Sequence, residues 1–183
     1  MMIGHTVCIV IGCKDRVYKT NGGTNMLRMS LTGHRPERLN YSQYLESDDW
    51  RRMIDWLKKQ IRLIGVTDAY CGMADGCDCV YALAIIELKN EGYPVKLHCV
   101  LPCDNYNCSY YLYDFFKENA DTWTSLSKEY YKGCDNARDQ YMVDNSDKLF
   151  AIYDGIKAGG VYSTIRRAQK KNLDIVYYPK DLF

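Results

Sequence analysis

The segment from Leu27 to Pro36, LRMSLTGHRP, predicts a short buried strand that runs straight into a polar loop. The loop presents Thr32, Gly33, His34 and Arg35, so a hydroxyl, a backbone without a Cβ, an imidazole and a guanidinium follow the strand in succession. In an open α/β sheet, ligands bind outside the carboxyl ends of the strands, and arginine binds phosphate with two parallel hydrogen bonds. This composition favours an anion-binding site, although a surface turn stopped by proline has the same pattern.

Strand-like and helix-like patterns alternate along the chain after this loop. Ser47 can cap a helix that carries Asp48 and Asp49 in its first turn and apolar residues at helical spacing, and Gly65 ends it. Further strands are predicted at 66–70, 95–101, 122–126, 148–153 and 175–178, with further helices ending near residue 90, within 132–147 and over 163–171. Such alternation predicts an α/β fold in which helices cover both faces of a mostly parallel sheet.

The first 25 residues stand apart from this alternation. They hold one β-branched run, VCIVI, and an Asn-Gly-Gly turn signal, so we interpret residues 1–25 as an N-terminal extension or an added edge hairpin. Residues 26–183 show no repeat, linker or charge block that would mark a second domain. Because 183 residues with 47% hydrophobic side chains can bury a sizeable core, we expect a single domain over 26–183.

Charge is nearly balanced, with 24 basic and 23 acidic side chains and a net charge of +1. No overall field therefore favours nucleic acid or an anionic membrane, and any preference for anions must be local. Arg166, Arg167, Lys170 and Lys171 form a basic helix face, which we interpret as solvated. The apolar run from Thr6 to Ile11 is too short for a membrane span. We expect neither a membrane nor a nucleic acid partner.

The nine cysteines are an odd number and follow no credible signal peptide, which argues against a disulfide framework. A reducing cytoplasmic location is therefore the expectation. The cysteines do not form paired CxxC sets, and the nearest histidine to them is His98. Reduced, buried thiols are predicted, and no metal site is expected.

Three loops of the chain share one composition at the end of a predicted strand. TGHR follows the first strand, CGMADGCD begins at Cys71, and DGIKAGGVYST begins at Asp154. Each loop leads towards a helix whose free N–H groups can face an anion. None is a Walker A loop or a GxGxxG fingerprint. Together they predict a phosphate-bearing ligand across the carboxyl edge of the sheet.

The motifs resemble those of the SLOG superfamily of Rossmann-like domains, which includes the DprA proteins and the LOG phosphoribohydrolases. The likeness is to its YpsA-like branch and covers about residues 27 to 178. It rests on Thr32 to Pro36, on Gly72 to Asp78, on Arg138 to Asp147, and on Gly159-Gly160 with Thr164. The resemblance implies a Rossmann-like three-layer sandwich and a nucleotide-related ligand held in the groove between these loops.

The loops and the resemblance together assign a set of ligand-binding residues. In that set, Gly159, Gly160 and Thr164 would hold phosphate, and Asp78 would accept hydrogen bonds from a ribose hydroxyl or serve only as a helix N-terminal carboxylate. The set is Thr32, Gly33, His34, Arg35, Gly72, Asp75, Asp78, Asn136, Arg138, Gly159, Gly160, Ser163 and Thr164. No cofactor is expected besides this ligand.

The resemblance leaves catalysis open. Arg138 matches the arginine that LOG enzymes use to cleave the base from a nucleoside monophosphate, but their glycine-rich motif continues into a catalytic glutamate, and Val161 to Arg167 contains none. Asp75, Asp78 or Asp154 could replace it. The first hypothesis is therefore a protein that binds, senses or sequesters a nucleotide. A nucleotide N-glycosidase or phosphoribohydrolase of LOG type is the alternative, and a DNA-binding protein like DprA is the third.

An unusually aromatic segment runs from Tyr106 to Phe116. Helical spacing places Leu112, Phe115 and Phe116 on one side and leaves several tyrosines over, so the segment is a core-facing helix, a lid or a subunit contact. With the oligomers common among SLOG relatives, it leads us to expect a homodimer.

Overall fold

The computed structural model describes residues 26–106 and 112–182. Its strands are β1 (Arg28–Gly33), β2 (Asp68–Cys71), β3 (Lys96–Leu101), β4 (Thr122–Ser125), β5 (Lys148–Ile152) and β6 (Asp174–Tyr177). Its helices are α1 (Pro36–Leu39), α2 (Asp48–Ile64), α3 (Cys77–Asn90), α4 (Tyr113–Asn119), α5 (Cys134–Asp144) and α6 (Gly159–Lys170), followed by a 3₁₀ turn at Lys180–Leu182. All strand pairs within these ranges are parallel, in the order β4-β3-β2-β1-β5-β6.

This strand order creates a crevice beside β1. The chain runs outward from β1 to β4 on one side and returns to place β5 against the other side of β1. The register pairs Thr32 with Ala151 and Gly33 with Ile152, so the loops after β1 and β5 leave the sheet side by side. A reversal of strand order at this edge is where open α/β sheets bind ligands.

Alternate residues of β5 pack into two different apolar layers, one on each face of the sheet. Phe150 and Ile152 belong to a large cluster with α2 and α3, whereas Leu149 and Ala151 pack with α5 and α6. Successive side chains of a strand point to opposite faces, so the sheet is covered on both sides. The predicted Rossmann-like three-layer α/β fold is confirmed, and its described strands are all parallel rather than mostly parallel.

Most predicted elements lie within two residues of their observed positions, but α6 begins earlier than predicted. Its helix starts at Gly159 instead of Ser163, because the glycine pair occupies the first turn after the N-cap residue Ala158. Phe115 is 39% exposed, so the expectation that it shares the buried side with Phe116 is wrong. Residues 1–25, with the proposed hairpin, and 107–111, with most of the tyrosine-rich segment, lie outside the described residues.

Candidate functional site

A cavity of about 750 Å³ lies over the crevice between β1 and β5. Its walls come from the loops after β1 and β2 and from the N-terminal turns of α5 and α6. This volume lies within the range of small-molecule sites. The cavity is therefore the candidate functional site.

Ten of the predicted site residues line this cavity. They are Thr32, Gly33, His34, Arg35, Asp78, Asn136, Arg138, Gly159, Gly160 and Ser163. Gly72, Asp75 and Thr164 are not in its wall. Sequence reasoning did not include Glu37, Arg38, Tyr106, Asp135 and Asp139, which also line it. For Arg38, the short spacing from Arg35 was an available signal, because Arg35 comes directly before α1 and Arg38 lies within it.

The guanidinium of Arg138 is buried in the cavity wall, with only 7% of the residue exposed. Its Nη1 donates to the carbonyl oxygen of Gly72 at 2.8 Å, and its Nε and Nη2 donate to Asp139 Oδ1 at 3.2 and 2.9 Å. Burial lowers the pKa of Arg138, but the carboxylates of Asp139 and Asp78 outweigh it and raise the pKa above its ordinary value. The group is thus a permanent, fixed cation.

Gly72 and Thr164 contribute to the site by holding Arg138. A Cβ at Gly72 would lie 2.8 Å from Asp78 Oδ2 and 3.0 Å from Arg138 Cζ, so only glycine leaves room for the guanidinium. The hydroxyl of Thr164 is buried and lies 3.1 Å from both Asp139 Oδ2 and the carbonyl oxygen of Gly160. Thr164 therefore orients Asp139, which in turn orients Arg138. Contact of Thr164 itself with phosphate stays a prediction.

Asp78 lies in the first turn of α3 and is buried beside Arg138. Its Oδ2 accepts a hydrogen bond from the backbone N–H of Ala74 at 3.1 Å. Burial raises the pKa of this carboxyl from its ordinary value of 3.8 to about 6, although the Arg138 charge acts to lower it. Of the three aspartates considered as replacements for a catalytic glutamate, Asp78 alone lines the cavity among the described residues.

His34, Arg38 and Asp154 form a second polar cluster, between the loops after β1 and β5. Arg38 Nε donates to Asp154 Oδ2 at 2.7 Å, and the N–H of Asp154 donates to His34 Nε2 at 3.4 Å. Burial acts to raise the pKa of Asp154, but its bonds to Arg38 and the Ile156 N–H lower it to about 2. Burial lowers the pKa of His34 although Asp154 Oδ1 is 3.2 Å away, which favours a neutral imidazole.

Arg35 differs from Arg138 in being accessible. Its side chain is 62% exposed, and its Nη1 lies 3.6 Å from Asp75 Oδ2. It can therefore turn towards a ligand without losing buried contacts. Asp75 pairs with this arginine but does not line the cavity.

The glycines of the site have two different roles. A Cβ at Gly33 would lie 2.4 Å from the Cβ of Cys77, so this glycine lets β1 pack against α3. A Cβ at Gly160 would meet no described atom within 4 Å apart from its neighbours in α6, so the backbone there opens onto the cavity. At Gly159, the nearest atom to a Cβ would be Arg38 Nη1 at 3.8 Å. Open backbone N–H groups and an arginine thus meet at the N-terminus of α6.

Comparison with family models places these residues in a known group. The YpsA model, described as the YspA SLOG family, matches residues 29–181. The chain belongs to the SLOG family. A comparison with curated proteins found no match. The matched range includes every residue of the cavity wall.

The described part of this SLOG protein was also compared with what a membrane span and a metal site require. In the described part of the chain, no helix is long and apolar enough to cross a membrane. Over the same residues, no group of three or more His, Cys, Asp or Glu side chains could hold a metal ion. The six described cysteines are buried and form no disulfide with one another. The expected cytoplasmic location stays a prediction.

Asp78 should make the stability of this SLOG protein depend on pH. Because the folded-state pKa exceeds the ordinary value, the unfolded chain ionises first, and the free energy of unfolding falls as pH rises from 3.8 to about 6. Asp78→Asn should therefore raise the unfolding free energy near pH 7.5 by up to about 3 kcal/mol, with no gain near pH 4. Urea unfolding at several pH values measures this difference.

The exposed Asp55 on α2 provides the control for this change. Asp55→Asn should alter the unfolding free energy by less than about 0.5 kcal/mol. If Asp78→Asn is less stable than the parent near pH 7.5, the carboxylate is needed to balance Arg138 and the predicted sign is wrong.

Proposed function

We propose that this SLOG protein binds a nucleotide or nucleotide-derived small molecule in the cavity between β1 and β5, to sense or sequester it. The observation that carries the proposal is the open backbone at Gly160, which leaves space for a phosphate at the N-terminus of α6. Free N–H groups and the helix dipole at such a terminus favour an anion. Family membership supports a nucleotide-related ligand.

The phosphate end of the proposed site combines α6 with the loop after β1. Arg38 lies beside Gly159 and is fixed by Asp154, so its guanidinium is already placed at the helix terminus. Arg35 is exposed at the same cavity and can close over a bound phosphate. Ser163 adds a hydroxyl one turn along α6. Charge-assisted hydrogen bonds from two arginines would supply most of the binding free energy.

The other end of the cavity suits a nucleoside. Asp78 and Asp139 offer carboxylate oxygens to hydroxyl or amino groups, and Asn136 offers an amide. Tyr106 lies near Asp78 and Arg138, and its partly buried ring can stack on a base. One end of the cavity offers hydrogen-bond acceptors and an aromatic ring, and the other end offers cations. This arrangement matches the chemistry of a nucleotide.

A second function, hydrolysis of the N-glycosidic bond, is favoured by one observation. Asp78 lines the cavity beside Arg138 and has a pKa of about 6, so it can exchange a proton near neutral pH. Asp154, held at a pKa of about 2, cannot act as an acid there. In this alternative Asp78 would take the place of the glutamate that LOG enzymes use. A homodimer remains our expectation for the assembly in either case.

Arg35→Ala should weaken nucleotide binding by roughly 1.5 to 3 kcal/mol, about ten- to hundredfold, because it removes a charge-assisted contact. Stability should change little, since the side chain is 62% exposed. Arg52 on α2 is the matched control, because it is also an exposed arginine with one acidic neighbour. Calorimetry with a panel of nucleotides compares the two variants. Equal binding by Arg35→Ala and the parent would place the phosphate elsewhere.

Gly160→Val should abolish binding without unfolding the protein. The branched side chain would enter the space proposed for phosphate, yet a Cβ at this position meets no described atom within 4 Å apart from its neighbours in α6. Circular dichroism and thermal unfolding check the fold, and calorimetry checks the ligand. A Gly160→Val variant that is folded and binds nucleotide normally would contradict the proposed role of the α6 terminus.

Incubation with nucleoside 5′-monophosphates separates binding from hydrolysis. Sensing or sequestration predicts that no free base is released, as measured by reversed-phase chromatography. If base is released by the parent and not by Asp78→Asn, the hydrolytic alternative is correct and replaces the binding-only proposal.

A further inference from the structure

A second, basic groove adjoins the main cavity along α6. It has a volume of about 450 Å³ and is lined by Gly159, Tyr162, Ser163, Arg166, Arg167 and Lys170. Gly159 and Ser163 also line the main cavity, so the two spaces meet at the N-terminal turn of α6. Three cations and no acidic residue line the groove, whereas the main cavity contains both signs of charge.

The cations of this groove differ from those on the opposite side of the protein. On α2, Arg51, Lys58 and Arg62 form salt bridges with Glu87 or Glu91. Among the residues that the structure describes, no acidic side chain forms a salt bridge with a basic residue of the groove. Basic side chains that face a concave surface without acidic partners attract anions.

Arg167 connects the groove to the main cavity. Its Nη2 donates to Asn136 Oδ1 at 3.1 Å, and Asn136 lines the main cavity. Its Nη1 is buried and has no hydrogen-bond partner among the described residues. A buried donor without a partner is costly, and an acceptor that entered the groove would relieve that cost after a small rotation of the side chain.

Spacing along α6 fixes the distance between the two anion positions. Arg166 follows Gly159 by seven residues, which corresponds to about 10 Å along a helix axis. Arginine side chains in helices point back towards the N-terminus, which shortens this separation. The groove therefore lies within reach of a second charged group on a ligand whose first phosphate sits at the helix terminus.

We propose that this basic groove binds a second phosphate of the ligand, so that the preferred ligand is a nucleoside 3′,5′-bisphosphate or a 5′-phosphorylated dinucleotide. The inference rests on the proposed nucleotide-binding function and narrows its ligand class. The first phosphate occupies the α6 terminus, the nucleoside occupies the main cavity, and the second phosphate contacts Arg166, Arg167 and Lys170. A nucleoside monophosphate fills the main cavity alone.

The test compares adenosine 5′-monophosphate, adenosine 3′,5′-bisphosphate and the dinucleotide pApA, with the guanine, cytosine and uracil equivalents, by calorimetry. The variant is Arg166→Gln with Lys170→Gln, because both side chains are exposed and their loss should not affect folding. The control is Lys59→Gln with Lys96→Gln, which removes the same charge from exposed positions on α2 and at the amino end of β3.

In the parent and the control, the second phosphate should improve affinity about tenfold or more. In the groove variant this advantage should shrink to within about threefold, while the affinity for the monophosphate stays unchanged. Equal affinity of the parent for mono- and bisphosphates, or an equal loss in the control, would overturn the inference and leave the proposed function standing. No binding of any nucleotide would overturn both. Affinity that keeps rising with longer oligonucleotides would replace the inference by a nucleic acid surface.

Discussion

The buried guanidinium of Arg138 is the constraint on which the site depends. A buried charge is tolerated only when it is paired and its hydrogen bonds are satisfied. Arg138 and its partner Asp139 both lie on α5, its other partner Gly72 follows β2, and Thr164 on α6 bonds Asp139, so the contacts join three parts of the fold. The need to satisfy one cation therefore fixes three walls of the cavity relative to one another.

The electrostatics around Arg138 also separate this site from the rest of the surface. Asp78 is held close to that cation with its pKa raised to about 6 by burial, whereas Glu87 on the exterior has its pKa lowered by Arg51 and Lys58 against the effect of burial. An arrangement that disfavours an ionised carboxylate near neutral pH costs stability, and such arrangements concentrate at functional sites. The pKa of Glu87 is shifted in the opposite direction, downward, as expected for a carboxylate in a structural salt bridge.

Much of the fold could be predicted from the sequence, because short local patterns of residues indicate where strands and helices begin and end. The TGHRP loop, the glycine pair at Gly159 and the alternation of apolar runs placed the cavity at the correct edge of the sheet. Asp139 and Tyr106 lie in segments that the sequence singled out, but their places in the cavity wall could not be predicted, since these depend on how α5 and the loop after β3 pack. Thr164 was found as a motif residue, but its contact with Asp139 required tertiary structure.

The most direct test of the site is amide chemical-shift mapping by NMR during titration with a nucleoside 5′-monophosphate. A ligand held between β1 and β5, with its phosphate at the α6 terminus, should shift the amides of Gly33, Arg35, Gly159, Gly160 and Ser163 at the carboxyl edge. The amides of Asp68 and His98, towards the amino end of the sheet, should not move. Shifts confined to that opposite end, or none at roughly millimolar nucleotide, would contradict a nucleotide site in this cavity.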